Sequence, residues 1–238
     1  MDLKNIFKNS DNNIDTQLSE ILRYMGCKDS SDNSMRTLSE NAKNEVKSVL
    51  KSSAVWRYVK IENITENIVD FGIFSFSSKA LANHLKNCSY AVFMVATIGN
   101  EIDMLIKKHS VSSMSYALCV NSAGASYIES YCDYLCDIIG DEVKDYFLTS
   151  RFSPGYEDLD LKCQKEIFSY LDAPKKTGVY LNESFMMMPS KSVCAIIGLS
   201  AKSKNPQSKQ EKCNNKCLSC KNYSCNFRKG IKENENNR

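Results

Sequence analysis

Arg151-Phe152-Ser153-Pro154-Gly155-Tyr156 opens the stretch 151–199, RFSPGYEDLDLKCQKEIFSYLDAPKKTGVYLNESFMMMPSKSVCAIIGL. Pro154 presets its own φ and Gly155 tolerates a positive φ, so the pair fits the centre of a type II turn. Such a turn aims successive backbone N–H and C=O groups at one spot, where they can read the edge of a purine. Arg151 adds a planar fork suited to a carboxylate, and Tyr156 a ring face with a hydroxyl. Together these groups can grip a small zwitterion that carries an aromatic ring; composition alone equally suits an ordinary surface turn with a solvated arginine. A helical segment, Asp160 to Leu171, separates this turn from a second run, Asn182-Glu183-Ser184-Phe185-Met186-Met187-Met188-Pro189-Ser190-Lys191-Ser192-Val193.

Upstream, the periodicity predicts a short helix from Asp15 to Met25 stopped by Gly26, and a second from Asn33 to Leu50. Ala54 to Ile61 reads as a strand with Ile68 to Phe76 as its antiparallel partner, and Ser78 caps a helix through Leu85. Tyr90 to Ile98 has the composition of a buried strand. The junction after it, Thr97-Ile98-Gly99-Asn100-Glu101, leads into a helix to Lys108 and holds a single glycine, so a dinucleotide-binding fingerprint is absent. Ser112 to Ile139 reads as one long helix. Its patch Ser122-Ala123-Gly124-Ala125-Ser126 invites close approach by a neighbour, and Ile128, Tyr131, Leu135 and Ile138 form an apolar stripe beside Glu129. The mixture is not a strict strand–helix alternation, so the expected class is α+β, with a mostly antiparallel sheet and packed helices. Cys132 and Cys136 are expected to pack, Met186-Met187-Met188 to lie in the core in preference to forming a soft cofactor-facing surface, and His84 and His109 to be ordinary surface residues.

The 238 residues are 42% hydrophobic with four prolines, which suits a packed globule. No apolar run reaches membrane-span length and the N-terminus lacks an apolar signal core, so a cytoplasmic protein without a membrane segment is expected. The net charge of +3 is uneven. From Ala201 onward ten Lys or Arg face three Glu, a surplus of seven, which leaves −4 in the remainder. No nucleic-acid motif accompanies the basic tail. Eleven cysteines, an odd number, argue against a disulfide framework. Four of them form Cys213-x3-Cys217-x2-Cys220-x4-Cys225 beyond a polar linker. That spacing lets four thiolates close around one centre, zinc or an iron–sulfur cluster, with Lys212, Lys216, Lys221 and Arg228 offsetting its negative charge. No nucleophile–base pair stands out, so no catalytic residue is assigned.

The turn at 151–156 and the run Asn182-Glu183-Ser184-Phe185, with Pro189 and Ser192-Val193 at matching offsets, resemble the S-adenosylmethionine-binding activation domain of cobalamin-dependent methionine synthase. That family carries an Arg-Pro-Ala-Pro-Gly-Tyr turn, a helix, and a Thr-Glu-Ser-Phe run leading into a strand. Weaker similarity covers Tyr127-Ile128-Glu129-Ser130-Tyr131-Cys132-Asp133-Tyr134-Leu135 and Leu22-Arg23-Tyr24-Met25-Gly26. Phe152 stands for a proline, Ser153 for an alanine and Asn182 for a threonine, and the family's binding tyrosine beyond the second strand has no match after Leu199.

The resemblance implies a twisted, mostly antiparallel sheet in residues 1–200; beyond it the shift to polar composition and the cysteine spacing mark a linker at 201–212 and a Cys-rich tail at 213–238. It implies Glu129, Arg151, Ser153, Gly155 and Tyr156 as contacts to S-adenosylmethionine. It further implies a stand-alone reactivation module, a component of methyltransferase activity, that supports reductive remethylation of cob(II)alamin. The cobalamin would be held by a methionine synthase subunit as partner. Such a module needs an electron, from a donor such as flavodoxin or ferredoxin, which favours [4Fe–4S] over zinc in the tail. The alternatives are an iron–sulfur corrinoid-reducing activator and a zinc-stabilised interaction protein, neither binding S-adenosylmethionine.

Overall fold

The computed structural model describes residues 14–27 and 33–201, together with the backbone of residues 4–9. The four tail cysteines, and the linker beyond Ala201, lie outside the described residues. In chain order the first elements are β1 (Lys4–Asn9), α1 (Leu18–Tyr24), α2 (Asn33–Val49), β2 (Ser52–Lys60), β3 (Asn63–Ile64), β4 (Ile68–Asp70), β5 (Ser75–Ser77), α3 (Lys79–Leu85) and β6 (Tyr90–Thr97). Then follow α4 (Glu101–Ser112), α5 (Met114–Glu142), β7 (Tyr146–Leu148), a 3-10 turn (Leu161–Cys163), α6 (Gln164–Leu171), α7 (Ala173–Thr177), β8 (Tyr180–Leu181), β9 (Met187–Met188) and β10 (Ser192–Ala201).

A five-stranded sheet of order β1-β2-β6-β10-β7, antiparallel throughout, organises the chain. The strand period of two assigns its faces. Trp56 and Tyr58 of β2, Val92 and Met94 of β6, and Ala195 and Ile197 of β10 join the core built with α1, α2, α4 and α5. Val55, Phe93, Val95, Cys194 and Ile196 point the other way, toward α3, α6 and an aromatic cluster. Because both faces are covered, β6 is apolar from Ala91 to Ala96 instead of alternating, which is why it reads as a buried strand.

The α+β class with an antiparallel sheet is as the sequence predicts, but several details differ. Ile68 to Phe76 does not pair with β2, whose neighbours are β1 and β6. The Asp70 carboxylate accepts from the Gly72 N–H at 2.9 Å, and Gly72 takes φ +77°, so the chain reverses there. The segment becomes β4 and β5 of a separate three-stranded sheet. This brings Phe71 and Phe74 within 5.0 and 5.4 Å of Phe93. The long helix starts at Met114 because Ser113 is extended (φ −155°) and caps the Tyr116 N–H. Strands β1 and β7 and helix α7 carry no periodic signal long enough to read. The expected small-residue contact is present: a Cβ on Gly124 would lie 2.8 Å from Ile102 of α4 and 3.1 Å from Lys191.

Gly198 marks where the segment after β7 meets β10. Its N–H donates to Thr149 Oγ1 at 2.8 Å and its carbonyl accepts from the Thr149 N–H at 2.9 Å. A Cβ there would fall 2.5 Å from Cys88 Sγ and 2.7 Å from Leu85 Cδ2. Gly198→Ala is therefore expected to cost about 1–3 kcal/mol through overpacking. Urea unfolding measures it, and an unchanged midpoint would contradict this packing.

Candidate ligand site

The chain leaves β7 and runs beside β10 before it turns. Phe152 donates to the Ile196 carbonyl at 2.9 Å and accepts from the Ile196 N–H at 2.7 Å. A proline at position 152 has no N–H for the first of these bonds, so phenylalanine adds a tether to the sheet. Its ring is buried against His84 and Tyr156, with centroids at 5.1 and 5.5 Å. His84 is not the ordinary surface residue expected, because its Nε2 lies 2.9 Å from both the Ser150 carbonyl and Thr149 Oγ1. His109 is also part-buried, bonded to Glu45 at 3.0 Å and packed on Tyr116.

The turn itself closes through Tyr156 N–H to the Ser153 carbonyl at 3.1 Å, with Gly155 at φ +86°. That is the type II geometry which Pro-Gly favours. Tyr156 stays half-exposed, with its ring edge against Phe152. Two residues on, the Asp158 carboxylate accepts from Lys79 N–H at 2.7 Å, Ala80 N–H at 3.2 Å and the Ser78 hydroxyl. These are orphan donors at the start of α3, where a carboxylate also meets the positive end of the helix dipole. The turn is thus fixed to the sheet on one side and to α3 on the other.

Arg151 points at α5. One guanidinium nitrogen lies 2.7 Å from Glu129 Oε2 and the other 2.6 Å from Asp133 Oδ1. Glu129 and Asp133 are four apart, hence on one helical face. Burial alone would lower the Arg151 pKa, but Cys132, Cys136, Glu129 and Asp133 together hold it above the ordinary value. It is a fixed cation. Tyr24, under the Arg23 guanidinium, titrates above its usual value because of burial and the Glu129 charge, which places α1 beside the same cluster. One arginine between two carboxylates leaves a surplus negative charge, and both acids keep over a third of their side-chain surface exposed. The cluster is suited to receive a cationic group.

The second sequence run folds as a hairpin of β8 and β9. Asn182 Oδ1 accepts from the Ser184 and Met186 N–H groups, both at 2.9 Å, so asparagine in place of threonine shapes the tip. Lys165 Nζ sits 4.9 Å over the Phe185 ring and ties the tip to α6. Met186 and Met188 are not core as expected, at 57% and 38% exposed, whereas Met187 is partly buried and packs against the core. The short hairpin has too few flanking layers to cover the other two. Between the hairpin and the Ser153-Pro154 turn lies a cleft of about 220 Å3, floored by Val193 and Cys194 of β10 and closed by Leu161 and Gln164.

The structure therefore brings Glu129 to Arg151 and sets the Ser153–Tyr156 turn beside the cleft. Asp133, Asp158 and Gln164 were not singled out from sequence. The four-residue spacing of Glu129 and Asp133 was a usable signal for the first; Asp158 and Gln164 had none. Cys132 is buried and its thiol is pushed up to about 12 by burial, in keeping with a packing role, and Cys136 lies against Arg151 at 3.7 Å. Among the described residues no group of three or more His, Cys, Asp or Glu is gathered to hold a metal ion. Nor is any described helix long and apolar enough to cross a membrane.

A family model described as vitamin B12 dependent methionine synthase, activation domain, matches residues 138–213. This span holds the turn, the cleft walls and the hairpin, and is less than half of the chain. A crystal structure of the MetH reactivation domain bound to AdoHcy matches with a TM-score of 0.61 at 15% identity, covering 85% of this chain and 80% of that chain. No curated protein matches in sequence. The chain is activation-domain-like in fold and, over the matched span, in sequence.

The Asp158 contact makes the site acid-sensitive. Hydrogen bonds from Ser78, Lys79 and Ala80 hold the Asp158 carboxyl below its ordinary 3.8. A depressed carboxyl contributes stability that is present above the unfolded value and lost as pH falls through the folded one. Urea midpoints of the wild type are expected to drop more between about pH 6 and about pH 2.5 than those of Asp158→Asn. Equal drops would rule out the cap.

Proposed function

We propose that this chain works as a reactivation module for a cobalamin-dependent methionine synthase. It binds S-adenosylmethionine at the Arg151 cluster and the Ser153–Tyr156 turn, and docks on a subunit that carries the cobalamin. The observation that carries this reading is the convergence of the 138–213 family match on the turn, hairpin and cleft, within a fold shared with a reactivation domain solved with AdoHcy. The residues fit the ligand's chemistry. A net-negative Glu129–Arg151–Asp133 cluster complements a sulfonium or ammonium centre, the turn presents backbone groups to a purine edge, and an apolar cleft adjoins the turn.

When bound, S-adenosylmethionine supplies an electrophilic methyl group on sulfur, and the partner's cobalamin is the substrate that takes it up together with one electron. The chain's own part is positioning. Arg151 holds Glu129 and Asp133 toward the cationic end. Gly155, at a φ that other residues resist, lets the turn backbone approach the base. Tyr156 offers its exposed ring as one wall. None of these groups needs to gain or lose a proton.

The electrostatic assignment separates two ligands that differ by the methyl group and its charge. Glu129→Gln is expected to weaken S-adenosylmethionine binding by roughly three- to tenfold, a modest figure because the carboxylate is half-exposed. The neutral thioether S-adenosylhomocysteine should lose less than about twofold. Calorimetric titration of both ligands tests this. Absence of binding by the wild-type chain would refute the reading, and equal losses would refute the role given to the cluster.

The Cys213-x3-Cys217-x2-Cys220-x4-Cys225 spacing supports a second element of the proposal: a four-thiolate centre, [4Fe–4S] in preference to zinc, relaying the electron from a flavodoxin or ferredoxin. Protein isolated without oxygen should contain iron and acid-labile sulfide in equal amounts. Zinc without sulfide would reject the relay and favour a zinc-stabilised interaction protein, and metal-free protein would reject the centre.

A further inference from the structure

Helix α5 carries a row of acids that its own stability does not explain. Glu129, Asp133, Asp137 and Asp141 recur every four residues, hence along one face, and Asp145 follows just beyond the helix end at Glu142. Like charges at this spacing repel, and carboxylates in the last turns meet the negative end of the helix dipole, where cations are preferred. The last turn of α5 holds no basic residue. One end of the row is compensated, because Arg151 pairs with Glu129 and Asp133. Farther along, Asp137, Asp141 and Asp145 are exposed, and none of their carboxylates forms an ion pair or hydrogen bond among the described residues. Tyr134, on the same stretch, is 36% exposed. From Glu129 to Asp145 six acids face Lys144, and Arg151 adds a second cation, so this face alone carries a surplus of −4. A local rule broken twice on one face is expected where the face serves something outside the helix.

The chain itself supplies the matching cations. Strand β10 ends at Ala201, which pairs with Tyr146, the residue after Asp145. Everything from Lys202 onward therefore departs from the acidic end of α5. That segment carries ten Lys or Arg against three Glu. Lys202, Lys204, Lys209 and Lys212 come before the first tail cysteine, with Glu211 as the one acid among them.

We propose that the exposed face of α5 at Asp137, Asp141 and Asp145 is the docking surface for this chain's own lysine-rich segment 202–212, which turns back over the helix end and runs toward Glu129. The reach suffices. From Glu142 back to Glu129 the helix is roughly 20 Å long, and eleven residues span at most roughly 36–40 Å. Each exposed ion pair is weak, but the segment is tethered beside its surface, so its effective concentration is high and weak pairs suffice. The Tyr134 ring adds a face on which a lysine ammonium can rest. Laid this way, the segment carries Cys213 to the Glu129–Arg151–Asp133 cluster. The four-thiolate centre then sits at the ligand site; this consequence rests on the function proposed above, whereas the docking itself does not.

The test uses the full chain, isolated without oxygen. A carbodiimide joins a lysine directly to a carboxylate in contact with it, and mass spectrometry maps the links. Links from Lys202, Lys204, Lys209 or Lys212 are expected to fall chiefly on Asp137, Asp141 and Asp145. Raising salt from about 0.05 M to about 0.5 M should lower their yield roughly threefold or more, because the pairs are exposed and screened. In Asp137→Asn/Asp141→Asn, trypsin should cut within 202–212 about threefold faster than in the wild type at low salt, and equally fast at high salt. Lys204→Glu/Lys209→Glu, which leaves α5 untouched, should likewise speed cutting at Lys202 and Lys212. Links spread over other carboxylates, no links, or low-salt cutting rates equal to the wild type in both variants would overturn the proposal. So would links that join isotope-labelled to unlabelled chains in a mixture, which would assign the face to a second copy. The result is independent of ligand binding: a chain that docks its segment but does not bind S-adenosylmethionine refutes the proposed function and leaves this inference standing, and ligand binding without docking does the reverse.

Discussion

Ser192–Ala201 is packed on both faces and hydrogen-bonded on both edges, and the geometry of the candidate site descends from that constraint. On one edge β10 pairs with β6 along eight residues; on the other it takes β7, Thr149 and then Phe152. A strand held this way cannot slip, since a one-residue shift would exchange its two buried faces. The turn that follows Phe152 and the hairpin that precedes Ser192 are consequently fixed to one rigid element from its two sides. The cleft between them is a product of this double attachment. Val193 and Cys194 form its floor because they begin the same strand.

Charge complements this mechanical frame. Arg151 follows directly on the stretch that lies along β10, and its side chain crosses to α5. It connects the sheet-bound turn to the longest helix through Glu129 and Asp133. Both acids remain partly in water, so the cluster is better understood as a positioning device and a local source of negative potential than as a large contribution to stability. Asp158 plays the matching part on the other flank, where helix α3 offers free N–H groups. The site is thereby bracketed by two helices, each contacted by a charged residue from one short loop.

The departures from the family pattern have local explanations. Phe152 supplies an N–H and an aromatic body where proline supplies neither, and both are used. Asn182 accepts two backbone hydrogen bonds at the hairpin tip, which a threonine hydroxyl satisfies less fully. Both changes preserve the backbone course that the turn and hairpin need.

Local rules settled much of this protein. The Pro-Gly turn, the Ser78 cap, the buried character of β6 and the helices at 33–49 and 164–171 follow from residue conformational preferences and periodicity, which act over a few neighbours. The nearness of Glu129 to the turn came from resemblance. That Asp133 shares Arg151 with it was implicit in a four-residue helical spacing. Other features required the folded chain. The break at Gly72 and the pairing of β2 with β6 depend on competition among strands far apart in sequence. Strands β1 and β7 are too short or too polar to announce themselves and exist because a neighbouring edge was available. Asp158 became a helix cap, and Gln164 a buried residue beside a cleft, through contacts that no spacing along the chain encodes. Burial and partnership are properties of the assembled fold, because only there is water excluded and the nearest polar atom decided.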